Sequence, residues 1–508
     1  MNAKLLPPGD APSLSRTSAR LTAALYNRLD ALLLLVAAES VRRLTDLPSG
    51  TLLAREHGRL KRPPGSCYSF TLPTRRGLRV VIGVLADAAD AFQTLSLAAR
   101  IVKEISPAQP AAAALGWLGH EKPDATQPLE ALLTAVLTAI EAQPTQKSKP
   151  APRWRPKSIV VCGRIDLESV RAVHGGSHLA RWLTQLPPNV LGPAAYRRSV
   201  AALARRHGWR MRVYGEAALK RLGAGAFVAV AAGSANRDAA LVHLQYRPRA
   251  RGGGTRAPIA LVGKGLCFDT GGLNIKTPKG MLDMHADMAG SAVALGILAA
   301  LTKCGYPHPV DAWLALAENR IGPHSYTQQD IVTAANGTTI QVVHTDAEGR
   351  MVLADTLAIA SRTRPACIID FATLTGACVT ALTERLSGVF TNRPGLRDHL
   401  EGAGRVSGER VWNLPMPSDF DDDLESPVAD TVQCLIDGKG DHIYAARFLS
   451  KFVAPAIPWI HVDLSSAERS GGLAHVPTPI TGFGVRFGTT LLSDPDFLAA
   501  LSSPGHPT

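Results

Sequence analysis

Short apolar runs alternate with alanine-rich stretches along most of the chain. Residues 78–85 and 258–262 are apolar runs of the length of a buried strand, and residues 31–38 fit a buried strand or helix. Longer stretches with helical spacing lie at residues 88–105 and from about 176 to 186. Strands that alternate with helices in this way indicate an α/β fold, in which a mostly parallel sheet is covered by helices on both faces.

A proline-rich, polar and basic segment at residues 143–154 divides the chain. This composition is typical of a linker, and a chain of 508 residues is long enough for at least two cores. We expect a smaller, basic N-terminal α/β domain with an oligomerisation or regulatory role, a connecting segment that includes an apolar run at 159–162, and a C-terminal catalytic domain. The expected bounds are 1–150, 151–174 and 175–508.

Three charged side chains lie close together at Asp346, Glu348 and Arg350, directly before the apolar run 351–354. Charges packed this closely at the start of an apolar element repel and desolvate each other unless a counter-ion neutralises them, and a divalent cation is the usual one. A solvated acidic turn is the more common explanation of an isolated D-x-E. A second charged cluster upstream favours a metal site.

That second cluster follows the apolar run 258–262 and contains Lys264, Asp269, Lys276 and Asp287. Several glycines between these residues allow tight turns and close approach of the backbone. The sequence predicts that the charged residues leave the end of a strand on a glycine-punctuated loop. This is where α/β sheets bind their ligands.

The two segments resemble the leucyl aminopeptidases, the cytosol aminopeptidase family of dinuclear metallopeptidases. The matching motifs are V-G-K-G at 262–265, F-D-T-G-G at 268–272 and T-D-A-E-G-R at 345–350, and every charged position of the family pattern is present at its spacing. Segments 370–377 and 481–486 match as well. The resemblance therefore covers most of the expected catalytic domain.

The resemblance implies two divalent metal ions. Lys264, Asp269, Asp287 and Glu348 would hold one ion. Asp269, Asp346 and Glu348 would hold the other, so that Asp269 and Glu348 bridge the pair. Oxygen-rich ligation suits manganese, the first choice, with zinc or magnesium as alternatives. Lys264 must be neutral to act as a ligand, and nearby dications out of water can lower its pKa enough for that.

The implied activity is the release of N-terminal amino acids, leucine and others, from peptides by two-metal activation of water. Lys276 would donate a hydrogen bond to the oxyanion. Arg350 would hold a bicarbonate-like anion that serves as the proton shuttle. An ion pair of Arg350 with Glu348 or Asp355 is the alternative. The resemblance also implies a homohexamer that acts in intracellular peptide turnover.

Three departures from the family pattern concern the substrate pocket. His344 stands where the family has asparagine, and it can keep a hydrogen bond while adding a titratable group beside the metals. Residues 438–442 replace a glycine- and arginine-bearing loop. Ser465, Ser466 and Glu468 stand in a segment that is small and apolar in the family. We expect a more polar pocket, in which Glu468 accepts a basic or polar N-terminal residue.

The net charge is +13 and the isoelectric point is about 9.6. Lysine and arginine exceed the acidic residues in 1–158 and in 197–256, whereas the remainder of the chain, with the expected metal site, is acidic. Basic surfaces can bind the phosphates of nucleic acids. The alternative function is therefore a DNA-binding or structural protein with secondary or lost peptidase activity. Contacts between subunits and a GC-rich genome are competing explanations of the arginines.

Seven scattered cysteines without C-x-x-C pairs indicate reduced thiols and a cytoplasmic protein. Cys267 lies inside the expected metal loop, and we expect it to be a packing residue. No apolar run approaches the roughly 18 residues of a membrane span. The run 31–38 lacks a convincing cleavage site, so we do not expect it to be a secretory signal. We therefore expect no membrane partner.

Overall fold

The structure, a computed structural model, describes residues 5–9, 12–17, 21–60, 62–119, 126–150, 152–248 and 257–501. Two sheets with helices on both faces follow each other along these residues, and a third, small sheet lies in the C-terminal part. The predicted α/β architecture of two units, the smaller one first, is confirmed.

The first sheet contains, within the described residues, strands β1 (Ser13–Thr17), β2 (Ala31–Ala37), β3 (Cys67–Leu72), β4 (Leu78–Leu85), β5 (Ala112–Leu118) and β6 (Ser158–Cys162). Their order is β1-β6-β5-β2-β4-β3, and every pairing is parallel except that of β3 with β4. The helices of this unit are α1 (Ala23–Tyr26), α2 (Gly50–Leu60), α3 (Ala91–Ile105) and α4 (Gln127–Ile140). Alternate side chains of β2 enter two different buried clusters, on opposite faces of the sheet. Burial on both faces explains why the whole run is apolar.

The strand at the expected domain junction belongs to the first sheet. β6 pairs in parallel with β1 and with β5, although its sequence was expected within the connecting segment 151–174. The proline-rich segment therefore joins α4 to the last strand of the same sheet. The next helix, α5 (Leu167–Thr184), also begins before the expected residue 176, because the side chain of Asp166 accepts hydrogen bonds from two amides of its first turn. We place the boundary between the units at the turn between β6 and α5.

The second sheet contains β7 (Arg210–Gly215), β8 (Ala240–Tyr246), β9 (Ile259–Asp269), β10 (Val310–Asn319), β13 (Cys367–Ala372), β14 (Ser387–Thr391), β15 (Val411–Asn413) and β17 (Trp459–Asp463). Their order is β15-β14-β17-β13-β9-β10-β8-β7. The centre is parallel, from β17 through β13 and β9 to β10. The pairings of β14 with β17, β8 with β10 and β7 with β8 are antiparallel. The sheet is thus mixed, with the expected parallel arrangement in its middle. Three short strands form the third sheet: β11 (Ile331–Thr333), β12 (Thr339–Gln341) and β16 (Thr431–Val432).

Helices cover both faces of the second sheet and bury two large apolar clusters against it. They are α6 (Pro193–His207), α7 (Glu216–Arg221), α8 (Gly225–Ala231), α9 (Pro278–Met281), α10 (Ala289–Lys303), α11 (Glu348–Ser361), α12 (Gly376–Leu382), α13 (Arg397–Ser407), α14 (Asp441–Ser450), α15 (Val485–Ser493) and α16 (Pro495–Ala500). Helix α10 packs closely against α5 at a pair of glycines: a Cβ atom on Gly176 would lie 2.4 Å from the carbonyl oxygen of Gly296.

One helical stretch of the described chain, Pro278–Lys303, is apolar and long enough to cross a membrane by length and composition. However, 89% of its apolar window is buried inside the structure. It includes α10, which lies between α5 and the second sheet. We therefore interpret it as a core helix. Cys267 packs in the same core, as expected, and all seven cysteines are free thiols.

A buried ion pair joins the first unit to the second. Glu141 follows α4, and its carboxylate accepts hydrogen bonds from Nε and Nη2 of Arg181 on α5, at 3.0 and 2.8 Å. Both side chains are inaccessible to solvent. His174 and His178, also on α5, lie beside the same carboxylate at a spacing that a metal ion could use. Because Arg181 already neutralises Glu141, a dication here would be buried beside a guanidinium. We therefore assign this cluster a structural role.

Arg181→Ala is expected to destabilise the protein by about 3–5 kcal/mol, because it leaves the carboxylate of Glu141 buried without its counter-charge. The free energy of unfolding in urea checks this. Arg171→Ala on the same helix is the matched control: its pair with Glu168 is exposed, and we expect a change below about 0.5 kcal/mol. Equal losses in the two variants would contradict the structural role of the buried pair.

Candidate metal centre

Strand β9 carries the first two charged residues of the site. Lys264 lies within the strand and Asp269 ends it, whereas the sequence placed both on a loop. Gly263 is needed for packing, since a Cβ atom there would lie 2.4 Å from Cα of Ser291 on α10. The turn begins only at Gly271, whose φ of 85° lies in the left-handed region. Lysine and aspartate are therefore held by the rigid centre of the sheet.

The other acidic residues come from the ends of neighbouring elements. Asp287 precedes α10, Asp346 precedes α11, and Glu348 is the first residue of α11. β9 lies parallel to β10 and β13, so their carboxyl ends meet at one edge of the sheet, where these elements start. Carboxylate oxygens of Asp269, Asp346 and Glu348 all lie within 4.8 Å of one another. The structure thus brings the predicted acidic residues together.

Lys264 lies between two of the carboxylates. Its Nζ is 2.8 Å from Oδ1 of Asp287 and 3.0 Å from Oε1 of Glu348, and it donates a hydrogen bond to the carbonyl of Thr373. The hydroxyl of Thr373 in turn donates to Asp287. This fit depends on Gly349, where a Cβ atom would lie 2.6 Å from both Cε and Nζ of Lys264.

Lys276 connects the remaining pair of carboxylates. Its Nζ is 2.8 Å from Oδ2 of Asp269 and 2.5 Å from Oδ1 of Asp346. The other oxygen of Asp269 accepts hydrogen bonds from the amide of Gly271 and from Nδ2 of Asn319, at 2.8 and 2.9 Å. Asp269 is therefore oriented from three directions, and its position is fixed by the backbone as well as by charge.

The charges of this network do not balance, because four carboxylates meet two ammonium groups. Burial, with the neighbouring carboxylates, raises the pKa of Asp346 to about 7 and also raises the pKa of Glu348. Burial likewise raises the pKa of Asp287 to about 7. Oδ2 of Asp287 and Oε2 of Glu348 are buried and have no hydrogen-bond partner in the described part of the chain. The donor set fits divalent cations, which would supply the missing positive charge and bind these oxygens.

When only the carboxylates surround it and no cation is bound, the side chain of Lys264 is a protonated ammonium group. Burial opposes its charge, but Asp287, Glu348 and Asp269 outweigh burial and raise its pKa. A ligand must be the neutral amine, so cations bound here would have to displace this proton. The expected role of Lys264 as a metal ligand stays a prediction.

Arg350 lies two residues after Glu348 and is buried. Its Nη2 donates to Oδ2 of Asp441 at 2.6 Å, and its Nη1 donates to the carbonyl of Gln433 at 3.0 Å. An ion pair with Glu348 or Asp355, the alternative considered from the sequence, is wrong. Asp355 accepts hydrogen bonds from two backbone amides instead.

His344 keeps a hydrogen bond, as the sequence suggested. Its Nδ1 accepts from the amide of Asp346 at 3.3 Å, and its own carbonyl accepts from the side chain of Gln433. Burial, with the charge of Lys276, lowers the pKa of His344. The residue is therefore a neutral imidazole near pH 7 that orients the start of α11.

Two residues of the site were missed by the sequence reasoning. Asn319 ends β10 and donates to Asp269, so a polar residue at the end of a long apolar strand was the signal. Asp441 was visible only as part of the altered loop 438–442. Nothing in the sequence indicates that it reaches Arg350, because the contact joins positions far apart in the chain.

Comparison of the chain with known proteins identifies its family. The profile of the cytosol aminopeptidase family, catalytic domain, matches residues 178–488, more than half of the chain. The chain belongs to the cytosol aminopeptidase family. A probable cytosol aminopeptidase of Parasynechococcus marenigrum (strain WH8102) is 38% identical over 393 residues, which are 75% of this chain and 78% of the relative.

Solved structures of similar proteins have the same fold over almost the whole chain. The bottromycin maturation enzyme BotP in complex with Mn is 31% identical, with a TM-score of 0.80 over 91% of this chain and 98% of BotP. A mutant of tomato leucine aminopeptidase is 25% identical, with a TM-score of 0.82 over 96% of this chain and 98% of the tomato protein. Family membership makes the chain a metal-dependent aminopeptidase, a hydrolase of peptide bonds, and implies two divalent metal ions.

Gly349→Ala is expected to weaken Mn²⁺ binding about 10- to 100-fold, because the new methyl group displaces Lys264 from the carboxylates. Titration of the metal-free protein with Mn²⁺ measures the affinity. Gly192→Ala is the control, since a Cβ atom there meets nothing within 4 Å and its φ is −80°. Unchanged affinity in Gly349→Ala would mean that the position of Lys264 does not matter for the metals.

Proposed function

We propose that this aminopeptidase releases leucine and other N-terminal residues from peptides, with two Mn²⁺ ions as the preferred metals and Zn²⁺ or Mg²⁺ as alternatives. The observation that carries this proposal is the unbalanced cluster of four carboxylates at the carboxyl edge of the second sheet, of which Asp269, Asp287 and Glu348 are buried and Asp346 is partly exposed. The proposed ligands of one ion are Lys264, Asp269, Asp287 and Glu348. Those of the other are Asp269, Asp346 and Glu348.

Two divalent ions held by these residues would supply an acidified water molecule and polarise the carbonyl of the scissile bond. Substrate has access from the side of Lys276 and Asp346, whose side chains are 17% and 26% exposed, whereas that of Lys264 is 4% exposed. Burial opposes the charge of Lys276, but Asp269, Glu348 and Asp346 raise its pKa. Lys276 therefore stays a charged donor, suited to hydrogen-bond the carbonyl oxygen as it becomes an oxyanion.

The proton released by the attacking water must reach the departing amine nitrogen. Arg350 would hold an anion that takes part in this transfer, because a guanidinium fork suits a planar oxyanion. Bicarbonate is the soluble candidate for that anion.

Lys276→Ala is expected to lower kcat for leucine p-nitroanilide about 10²- to 10³-fold with manganese present, because the oxyanion loses its donor. Asp346→Ala should lose activity through weaker metal binding, with partial recovery at high Mn²⁺. Lys279→Ala is the control: this lysine is three residues away and exposed, and its removal should leave kcat unchanged. An enzyme that retains full activity after chelation of its metals would refute the proposed chemistry.

The substrate pocket is proposed to be more polar than is usual in the family because of Glu468. Ser465 and Ser466 are both buried, and the Ser465 hydroxyl donates to the carbonyl of Leu386, whereas the Ser466 hydroxyl has no hydrogen-bond partner among the described residues. Glu468 is only half-buried, and burial together with the charge of Asp283 raises its pKa. An incoming cation would relieve this repulsion between two acids.

Glu468→Ala is expected to lower kcat/KM for arginine anilide about tenfold, the effect of one charge-assisted contact, while sparing leucine and alanine anilides. Rates for the three anilides, measured in the wild type and the variant, give the selectivity. Glu425→Ala, at an exposed position on another loop, is the control. A strong leucine preference that Glu468→Ala leaves unchanged would contradict this specificity.

We also infer a homohexamer and a cytoplasmic role in peptide turnover, by analogy with the family. Light scattering on the purified protein tests the assembly. The nucleic-acid alternative is not favoured. Several basic residues of segment 197–256 are paired with acids, as Lys220 and Arg237 are with Glu216, and residues 249–256 of that segment lie outside the described residues.

A further inference from the structure

A buried guanidinium beside a metal centre needs an anion. Arg350 is 2% exposed, and an unpaired charge at such a position is strongly unfavourable. The carboxylates of the cluster form no ion pair with it, since Glu348 pairs with Lys264 and Asp269 pairs with Lys276, although the charge of Glu348 adds to that of Asp441 in raising the pKa of Arg350. The anion that pairs with Arg350 is therefore a necessary part of the site.

The chain itself supplies an anion at this position. Asp441 is the first residue of α14, and its Oδ2 accepts from Nη2 of Arg350 at 2.6 Å. The loop that delivers it turns at Gly438 and Gly440, whose φ values of 66° and 63° lie in the left-handed region. Two such positions, separated only by Lys439, allow the tight turn that brings Asp441 to Arg350.

We propose that Asp441 is a built-in counter-anion that fills the anion position of Arg350, so that this enzyme works without bicarbonate or another soluble anion. The inference rests on the proposed function, in which Arg350 holds an anion beside the metals. Asp441 would then take over the role that the soluble anion has in the proposed function, including its part in the transfer of the proton from the attacking water to the departing amine.

A dissolved anion would have to compete with Asp441 for the guanidinium of Arg350. A planar oxyanion needs two neighbouring N–H groups of the guanidinium. In Arg350, Nη1 donates to the carbonyl of Gln433 and Nη2 donates to Asp441, whereas Nε is buried without a partner in the described part of the chain. A soluble anion would therefore have to share the guanidinium with the carboxylate of Asp441, which repels it. A tethered carboxylate also has a high effective concentration, which a dilute ion cannot match.

The test uses the full-length, manganese-loaded protein in buffer freed of carbon dioxide, with and without added sodium bicarbonate. Peptidase rate and Tm are both recorded, so that anion binding has a readout independent of activity. Asp441→Gly removes the carboxylate and opens its space. Asp441→Asn removes the charge but keeps the space filled. Asp437→Asn is the control, because this carboxylate is on the same loop, half-exposed and paired only with Lys439 among the described residues.

We expect bicarbonate to change neither the rate nor the Tm of the wild type and of Asp437→Asn. Asp441→Gly should be slower by about tenfold or more, with a lower Tm, and bicarbonate should restore both. Asp441→Asn should be impaired without rescue, because the amide still occupies the position. Rescue separates an anion role from a merely structural one.

A wild type that bicarbonate accelerates would overturn the proposal, and so would an Asp441→Gly variant that is either fully active or impaired without rescue. If Asp441→Gly does not fold, the wild type and Asp441→Asn decide: a bicarbonate response of the wild type overturns the proposal, and its absence together with an impaired Asp441→Asn supports it. A protein without peptidase activity under any metal would refute the proposed function, whereas the Tm response of Asp441→Gly to bicarbonate would still test the anion position.

Discussion

The structure of the site is governed by the cost of burying like charges together. Asp269, Asp287, Asp346 and Glu348 are brought to one edge of a parallel sheet, where water is largely excluded and two lysines neutralise only part of their charge. Such an arrangement is unfavourable for the folded chain by itself. Bound dications would neutralise the excess negative charge. The free energy by which the metal-free cluster destabilises the fold would therefore contribute to the affinity for metal ions.

Close packing makes this assembly possible. The lysine inside β9 reaches the carboxylates only because the facing position on α11 is a glycine, and β9 approaches α10 only because Gly263 has no side chain. Strand β9 and the first turns of α10 and α11 are thereby held so close together that single side chains connect them. A site built on such elements is more precise than one built on mobile loops.

Much of the fold and site followed from the sequence, because local patterns specify them. Apolar runs predicted the central strands, and the charged residues that meet at the site were predicted from their spacing together with the family resemblance. What the sequence could not show were contacts made across the fold. The pairing of β6 with the first sheet depends on hydrogen bonds to β1 and β5, which no local pattern encodes. The pairing of Arg350 with Asp441 depends on a loop far along the chain. The extent of β9 was underestimated because its glycines, usually signs of a turn, here serve close helix packing.

Helix α5 has a further consequence for how the two units relate. It starts directly after the last strand of the first sheet, carries Arg181 toward Glu141, and packs its glycine face against the central helix α10 of the second unit. The same helix therefore packs against both units. A catalytic fragment that began at residue 175 would start in the middle of α5 and would lack Asp166, whose side chain caps the N-terminus of this helix. Loosening of the first unit would be transmitted to α10, which packs against the strand that carries Lys264 and Asp269.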